Sequence, residues 1–169
     1  MNIRLAALTD ITAIMLLIKD VVPLMQATGN FQWSDDYPNP AVFERDISLD
    51  QLWVAQAEDA IAGVIAITQD QSEEYIQVGW DINEPAIVTH RLAVSPYYRG
   101  LGIAEKLLVK AEEVATEKGI TILRIDTNTN NQATQKLFPK LGYIYAGEIS
   151  LNFRPGLRFV CFEKRLINV

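Results

Sequence analysis

The stretch Leu92-Ala93-Val94-Ser95-Pro96-Tyr97-Tyr98-Arg99-Gly100-Leu101-Gly102-Ile103-Ala104 decides how this chain reads. Its first three residues close an apolar strand and its last two open a helix. Two glycines stand between them, one residue apart. Glycine lets the backbone turn through left-handed angles and lets a ligand come close. The first N–H groups of a helix lack intrahelical partners and lie at the positive end of its dipole, so this turn is an anion site. A phosphate or pyrophosphate is its natural occupant. Two phosphate motifs fail by spacing. A P-loop needs Gly-Lys-Ser/Thr where Gly102 is followed by Ile103-Ala104, and a dinucleotide fingerprint needs a third glycine where Glu105 stands. By spacing alone the turn also reads as a plain helix cap.

Working outward, Gly102 to Lys118 carries Ile103, Leu107, Leu108, Ala111, Val114 and Ala115 at helical spacing, and Gly119 stops it. A strand over Ile120–Thr127 follows, then a short helix over Gln132–Leu141. Strands over Tyr143–Leu151 and Leu157–Lys164 are joined through Arg154-Pro155-Gly156. Upstream, Ile3–Ala6 alternates as a strand should, and Thr9 or Asp10 caps a helix from Ile11 to Gln26. A loop from Gly29 to Pro40 is rich in aromatic residues, and Ala41–Leu49 is a short helix. Four strand-like runs then follow: Leu52–Ala57, Ala60–Thr68, Tyr75–Trp80 and Ile87–Val94. An antiparallel meander with a strand–helix–strand–helix–strand tail predicts an α/β (α+β) fold with a mixed, mostly antiparallel sheet. Helices cover both faces. No repeat or linker divides the chain, so residues 1–169 read as a single domain.

Composition narrows the function. The chain has 169 residues, 49% hydrophobic and 21% charged, values of a globular domain with a sizeable core. A net charge of −6 argues against nucleic acid as a partner and suits a cationic acceptor. One cysteine, Cys161, and one histidine, His90, leave no internal disulfide and no cysteine-rich or multi-histidine metal site, so no metal is expected. The start carries no cationic region followed by a long apolar run, and Lys19, Asp20 and Pro23 break the most apolar stretch. No membrane span and a cytoplasmic location are therefore the expectation.

Arg99-Gly100-Leu101-Gly102-Ile103-Ala104 resembles the Arg/Gln-x-x-Gly-x-Gly/Ala signature of the GNAT superfamily of N-acetyltransferases. Leu92-Ala93-Val94 resembles that family's preceding strand end. Asn131 to Tyr143 resembles its second landmark, an asparagine, a short helix and Lys140-Leu141-Gly142-Tyr143. The likeness covers about Arg91 to Gly147. It implies a sheet splayed between its fourth and fifth strands, with acetyl-CoA in the opening. Arg99, Gly100, Leu101, Gly102, Ile103 and Ala104 would hold the pyrophosphate. The backbone of Leu92, Ala93 and Val94 would pair with the pantetheine arm, and Asn131 would meet the cofactor. The Val94 N–H would polarise the thioester carbonyl. The resemblance implies an acetyltransferase acting on a primary amine of a small molecule or protein N-terminus, by direct attack in a ternary complex. Homodimers are common in the family. Where many members carry a tyrosine acid, this chain has Phe138, which has no proton to give and is expected against the pantetheine arm or acetyl group. That departure keeps an alternative open: an acyl-CoA-binding module or sensor with weak or no catalysis.

The amine must lose a proton before it attacks, which requires a base. Asp126 shares a strand face with Arg124, and an acid there resembles the ribosomal-protein branch of the family; it reads equally as an ion-pair partner of Arg124 or Arg91. His90, two residues before Leu92, has a ring suited to a base near neutrality and reads also as a hydrogen-bonded core residue. Arg91 and Arg124 are candidates for a substrate carboxylate, or for structural pairing. Trp33, Tyr37 and Trp80 are candidates for the acceptor wall, or for the core.

Overall fold

The computed structural model describes residues 1–167. Seven strands form one sheet: β1 (Asn2–Leu5), β2 (Leu52–Ala57), β3 (Ala60–Thr68), β4 (Ile87–Val94), β5 (Ile122–Asn128), β6 (Ile144–Ser150) and β7 (Arg158–Arg165). Four helices accompany them: α1 (Ile11–Ala27), α2 (Pro40–Ser48), α3 (Ile103–Glu117) and α4 (Gln132–Lys140). The strand order is β1-β2-β3-β4-β5-β7-β6. Every neighbouring pair is antiparallel except β4 and β5, which run parallel. Those two strands are joined only at Ile87–Leu123 and Val88–Arg124, and beyond that point they part. The sheet is therefore mixed and open between its fourth and fifth strands, as the sequence reading expects.

Apolar periodicity explains the layers. Leu107, Leu108 and Ala111 of α3 and Phe138 of α4 bury against Ile65, Leu123, Ile125 and Phe162 on one face of the sheet. On the other face, Ile14, Leu17 and Ile18 of α1 and Phe43 of α2 pack on Val54, Val64 and Ala93. Beyond the opening, no α-helix among the described residues covers that second face. There Tyr75 packs with Val88, Ile149, Phe159 and Cys161. Among the described residues, no helix is long and apolar enough to cross a membrane.

One expected strand is absent. The first four residues of Tyr75–Trp80 belong to a 3-10 turn spanning Glu73–Val78, ended by Gly79 at φ +79. Tyr75 and Val78, three residues apart, both pack inward, while Ile76 between them is exposed. A period of three is that of a 3-10 turn; a strand would bury every second residue.

β4 carries a second irregularity. Val64 stands opposite Ala93 and Ala66 opposite His90, so Arg91 and Leu92 together oppose the single residue Ile65. This is a β-bulge, and Arg91 enters it with φ +53. The Arg91 guanidinium binds both carboxylate oxygens of Asp46 on α2, through Nε at 2.7 Å and Nη2 at 2.8 Å.

Candidate active site

A groove of about 820 Å³ runs through the opening. Leu92, Ala93 and Val94 line one wall; Asn130 to Thr134 and Leu137 line the other; Arg99, Gly100 and Gly102 to Glu105 form one end. Gly100 and Gly102 hold φ +78 and +70, and a Cβ built on either meets nothing within 4 Å. The cradle is thus open space bounded by backbone. Gly102 precedes α3 and its carbonyl accepts the Lys106 N–H at 3.0 Å. The N–H groups of Ile103, Ala104 and Glu105 have no carbonyl a turn earlier to bond, so they remain donors at a helix start. These features fit the pyrophosphate of a coenzyme A.

The strand edge fits the rest of such a molecule. The Ser95 N–H donates to the Ala62 carbonyl at 2.8 Å. In an antiparallel ladder successive N–H groups point to opposite edges. The Val94 N–H therefore points away from β3, into the gap that β5 has left. It is an open edge for an amide-bearing arm and a donor for a carbonyl oxygen. Asn131 borders the groove, but its side chain is engaged in the protein: Oδ1 accepts from the Thr134 N–H at 3.4 Å and Nδ2 donates to Thr127 Oγ1 at 3.1 Å.

A smaller cavity of about 230 Å³ adjoins the groove and shares Leu92, Ala93, Val94, Asn131 and Thr134 with it. His90 and Asp126 line this cavity from the two parted strands, together with Trp33, Tyr37 and Arg91. The aromatic loop roofs it. Gln32 accepts the Asn128 N–H at 3.3 Å, and the Gly29 carbonyl accepts from Asn130 Nδ2 at 3.0 Å, so the loop is tied to β5 and its continuation across the gap.

The two titratable groups are held differently. Tyr75 donates its hydroxyl to Asp126 Oδ2 at 2.6 Å, and Oδ1 makes no hydrogen bond among the described residues. Burial pushes the Asp126 carboxyl above its ordinary range; the Tyr75 hydroxyl and the nearby His90 ring pull it part of the way back. Burial pushes the His90 ring below its ordinary range, opposed by Asp126 and reinforced by Arg91. His90 Nε2 lies 3.3 Å from the Asp70 carbonyl, which can only accept. That contact places the ring proton on Nε2 and leaves Nδ1 with a lone pair. Two residues that line the cavity thus each keep an acceptor atom without a hydrogen bond among the described residues, Asp126 Oδ1 and His90 Nδ1.

The two arginines and Trp80 take the structural alternatives that sequence reading offered beside the substrate-binding ones. Arg91 lines the cavity, but Asp46 matches its charge and Nη1 donates to the Tyr37 hydroxyl at 3.3 Å. Arg124, only 1% exposed, is paired with Glu163 and Glu84 and lines neither cavity nor groove. Trp80 packs edge-on against Tyr75 with the Arg124 guanidinium over its ring, and also stands outside the cavity. Trp33 and Tyr37 do wall it. Phe138, 1% exposed, packs against Tyr143 and Phe162 and reaches the cavity wall from the core. Leu101 is exposed and its side chain borders no described cavity.

Sequence reading missed two partners. Asp46 sits three residues after Phe43 on the inward face of α2, and a charge on a buried face signals a buried partner. Tyr75 was hidden by its assignment to a strand.

An open mixed sheet with a glycine turn at a helix start, a free strand edge and an adjoining cavity is the architecture of a coenzyme A-dependent acyltransferase. The family comparison makes this specific: residues 18–143 match the model of the acetyltransferase (GNAT) family, and the chain belongs to that family. The family's acyl donor is acetyl-CoA. The chain is similar to a GNAT-family acetyltransferase of Streptococcus agalactiae 2603, at 30% identity and TM-score 0.84, over 99% of this chain and 96% of that one. It is also similar to the N-acetyltransferase YesJ of Bacillus subtilis, 25% identical over 84% of this chain and 81% of that protein. N-acetylaspartate synthetase of Xenopus tropicalis is 25% identical over 66% of this chain, a match that spans only 37% of that protein.

Proposed function

We propose that this chain moves the acetyl group of acetyl-CoA to the primary amine of a small molecule. The observation that carries the reading is that His90 and Asp126, each with an acceptor atom left without a partner among the described residues, line one roofed cavity adjoining the groove. An ammonium group entering there meets a carboxylate and a lone pair and loses a proton to one of them. The freed nitrogen lone pair then forms a bond to the thioester carbonyl carbon. The Val94 N–H donates to the oxygen as negative charge builds on it. As the carbonyl re-forms, the C–S bond breaks, coenzyme A leaves as a thiolate, and the nitrogen gives up its second proton to that sulfur, leaving a neutral amide and a thiol. A thiol pKa near about 8.5 makes that thiolate a tolerable leaving group without an acid at Phe138. A small cavity under a tied-down loop favours a small molecule over a protein N-terminus. We place the reaction in the reducing cytoplasm.

The buried, hydroxyl-free Phe138 favours a second reading, a sensor that binds acyl-CoA without turning it over. One assay separates the two. Acetyl-CoA binding is first established by calorimetry; thiol release is then followed over a panel of primary amines, with mass spectrometry of the products. Acetylated amine supports the enzyme, and binding without turnover across the panel overturns it.

A further inference from the structure

Tyr75 is a phenol with no exposed surface, set against the carboxylate that Asp126 turns to the cavity. It belongs to a segment that is strongly anchored. Arg124 donates from Nε to Glu163 at 2.9 Å, from Nη1 to the Asp81 carbonyl at 3.0 Å and from Nη2 to Glu84 at 3.1 Å. The last two bonds hold residues 81–84 on the same face of β5 that carries Asp126. The same segment supplies the Asp70 carbonyl to His90. One stretch of chain, residues 70–84, thus contacts both members of the acceptor pair. We infer that Tyr75 is a positioning residue for acetyl transfer: its hydroxyl fixes Asp126 through Oδ2 and turns Oδ1 toward the incoming amine. This rests on the reading of Asp126 and His90 as the groups that take the amine's proton.

The surroundings fix the sign of its effect. Asp126 is faced by Tyr75 and Glu74 from the turn, by His90 from β4 and by Cys161 from β7; Arg124 lies two residues away on β5. His90 is faced by Asp126, Arg91 and Asp70. Within this set Tyr75 is the hydrogen-bond donor to the carboxylate, and it stabilises the charged form. Without the hydroxyl, Asp126 takes up a proton at higher pH. An uncharged Asp126 no longer supports a charge on His90, so His90 takes up its proton at lower pH.

Tyr75→Phe keeps the ring and removes the donor. A hydrogen bond to a charged group corresponds to about one to two pK units. The acid limb of the turnover–pH profile therefore moves upward by about that amount. His90 is the only histidine in the chain, so its ring C–H signals in a proton NMR titration belong to one residue. Their midpoint moves downward. Opposite movements of the two curves mark a role through Asp126, since a merely loosened core lowers turnover at every pH and leaves both midpoints in place. An unmoved acid limb in a folded Tyr75→Phe protein overturns the inference. Asp126→Asn separates this failure from failure of the underlying reading. If Asp126→Asn removes the acid limb while Tyr75→Phe leaves it in place, Tyr75 alone is misassigned. If Asp126→Asn keeps wild-type turnover and profile, the base assignment falls and Tyr75 with it.

Discussion

Gly102 and Gly119 flank α3 at its two ends and offer a matched test of the cradle. Their φ angles are +70 and +68, and a Cβ on either would meet nothing within 4 Å. Alanine at either position therefore brings no clash, only the cost of a left-handed conformation, about 1–2 kcal/mol. For a domain of this length that lowers Tm by roughly 2–8 °C. The two variants should melt alike. They should bind differently, because Gly102 borders the groove and Gly119 does not. A methyl at Gly102 stands in the space where a pyrophosphate reaches the α3 N–H groups. Losing a hydrogen bond to a charged group costs about 1.5–3 kcal/mol, or about 10- to 150-fold in Kd. Calorimetric titration with coenzyme A measures this, and a melt checks the fold. Gly102→Ala should weaken binding by that factor while Gly119→Ala binds as wild type. Equal affinity in the two variants would refute the placement of the pyrophosphate at the start of α3.

Three further outcomes are expected. Asp126→Asn should lower kcat by about 10²-fold with coenzyme A affinity unchanged, and the profile should lose the limb on which wild-type rate falls as acid protonates the pair; an unchanged profile counts against Asp126. Phe138→Tyr places a hydroxyl in a packed aromatic cluster and should leave turnover within about tenfold of wild type; a gain of about a hundredfold would mark the natural protein as catalytically disabled. Asp46→Asn leaves the Arg91 guanidinium without its counter-charge, and removing one partner of a buried pair costs about 3–5 kcal/mol; a melt within 2 °C of wild type, against a fall of roughly 6 °C or more, would show that the pair does not hold the fold.

The parts legible in the sequence are those whose signal is local. The glycine turn between β4 and α3 is contiguous, and its ligand is backbone, so residue types and spacing suffice. His90 and Asp126 were legible as candidates because each stands near a recognisable strand end. Their partners were not legible. Tyr75 lies 51 residues from Asp126 and Asp46 lies 45 from Arg91, and no spacing rule reaches across such intervals. Tyr-Ile-Gln-Val-Gly-Trp passes for a strand on β-propensity alone, yet it packs with a period of three because the turn has only one buried side. The fate of Arg124 depended likewise on Glu84 and Glu163 arriving from two other segments.

The bulge in β4 connects these long-range contacts to the chemistry. From the pairing of His90 with Ala66, a regular strand would place Val94 opposite Ala62. There its N–H would be given to β3. The extra residue moves Ser95 into that position, and the Ser95 N–H makes the bond to Ala62. Val94 is thereby turned to face the gap. The same change of parity puts Ala93 on the α1 face, where its small side chain lines both cavity and groove, while Leu92 and Val94 pack toward α3. The device needs Arg91 in a left-handed conformation, which costs about 1–3 kcal/mol. Two hydrogen bonds to Asp46 and one to Tyr37 hold it there. The Arg91–Asp46 pair therefore clamps the bulge that turns the Val94 N–H into the gap, and on the function proposed above that backbone donor is the one offered to the thioester oxygen.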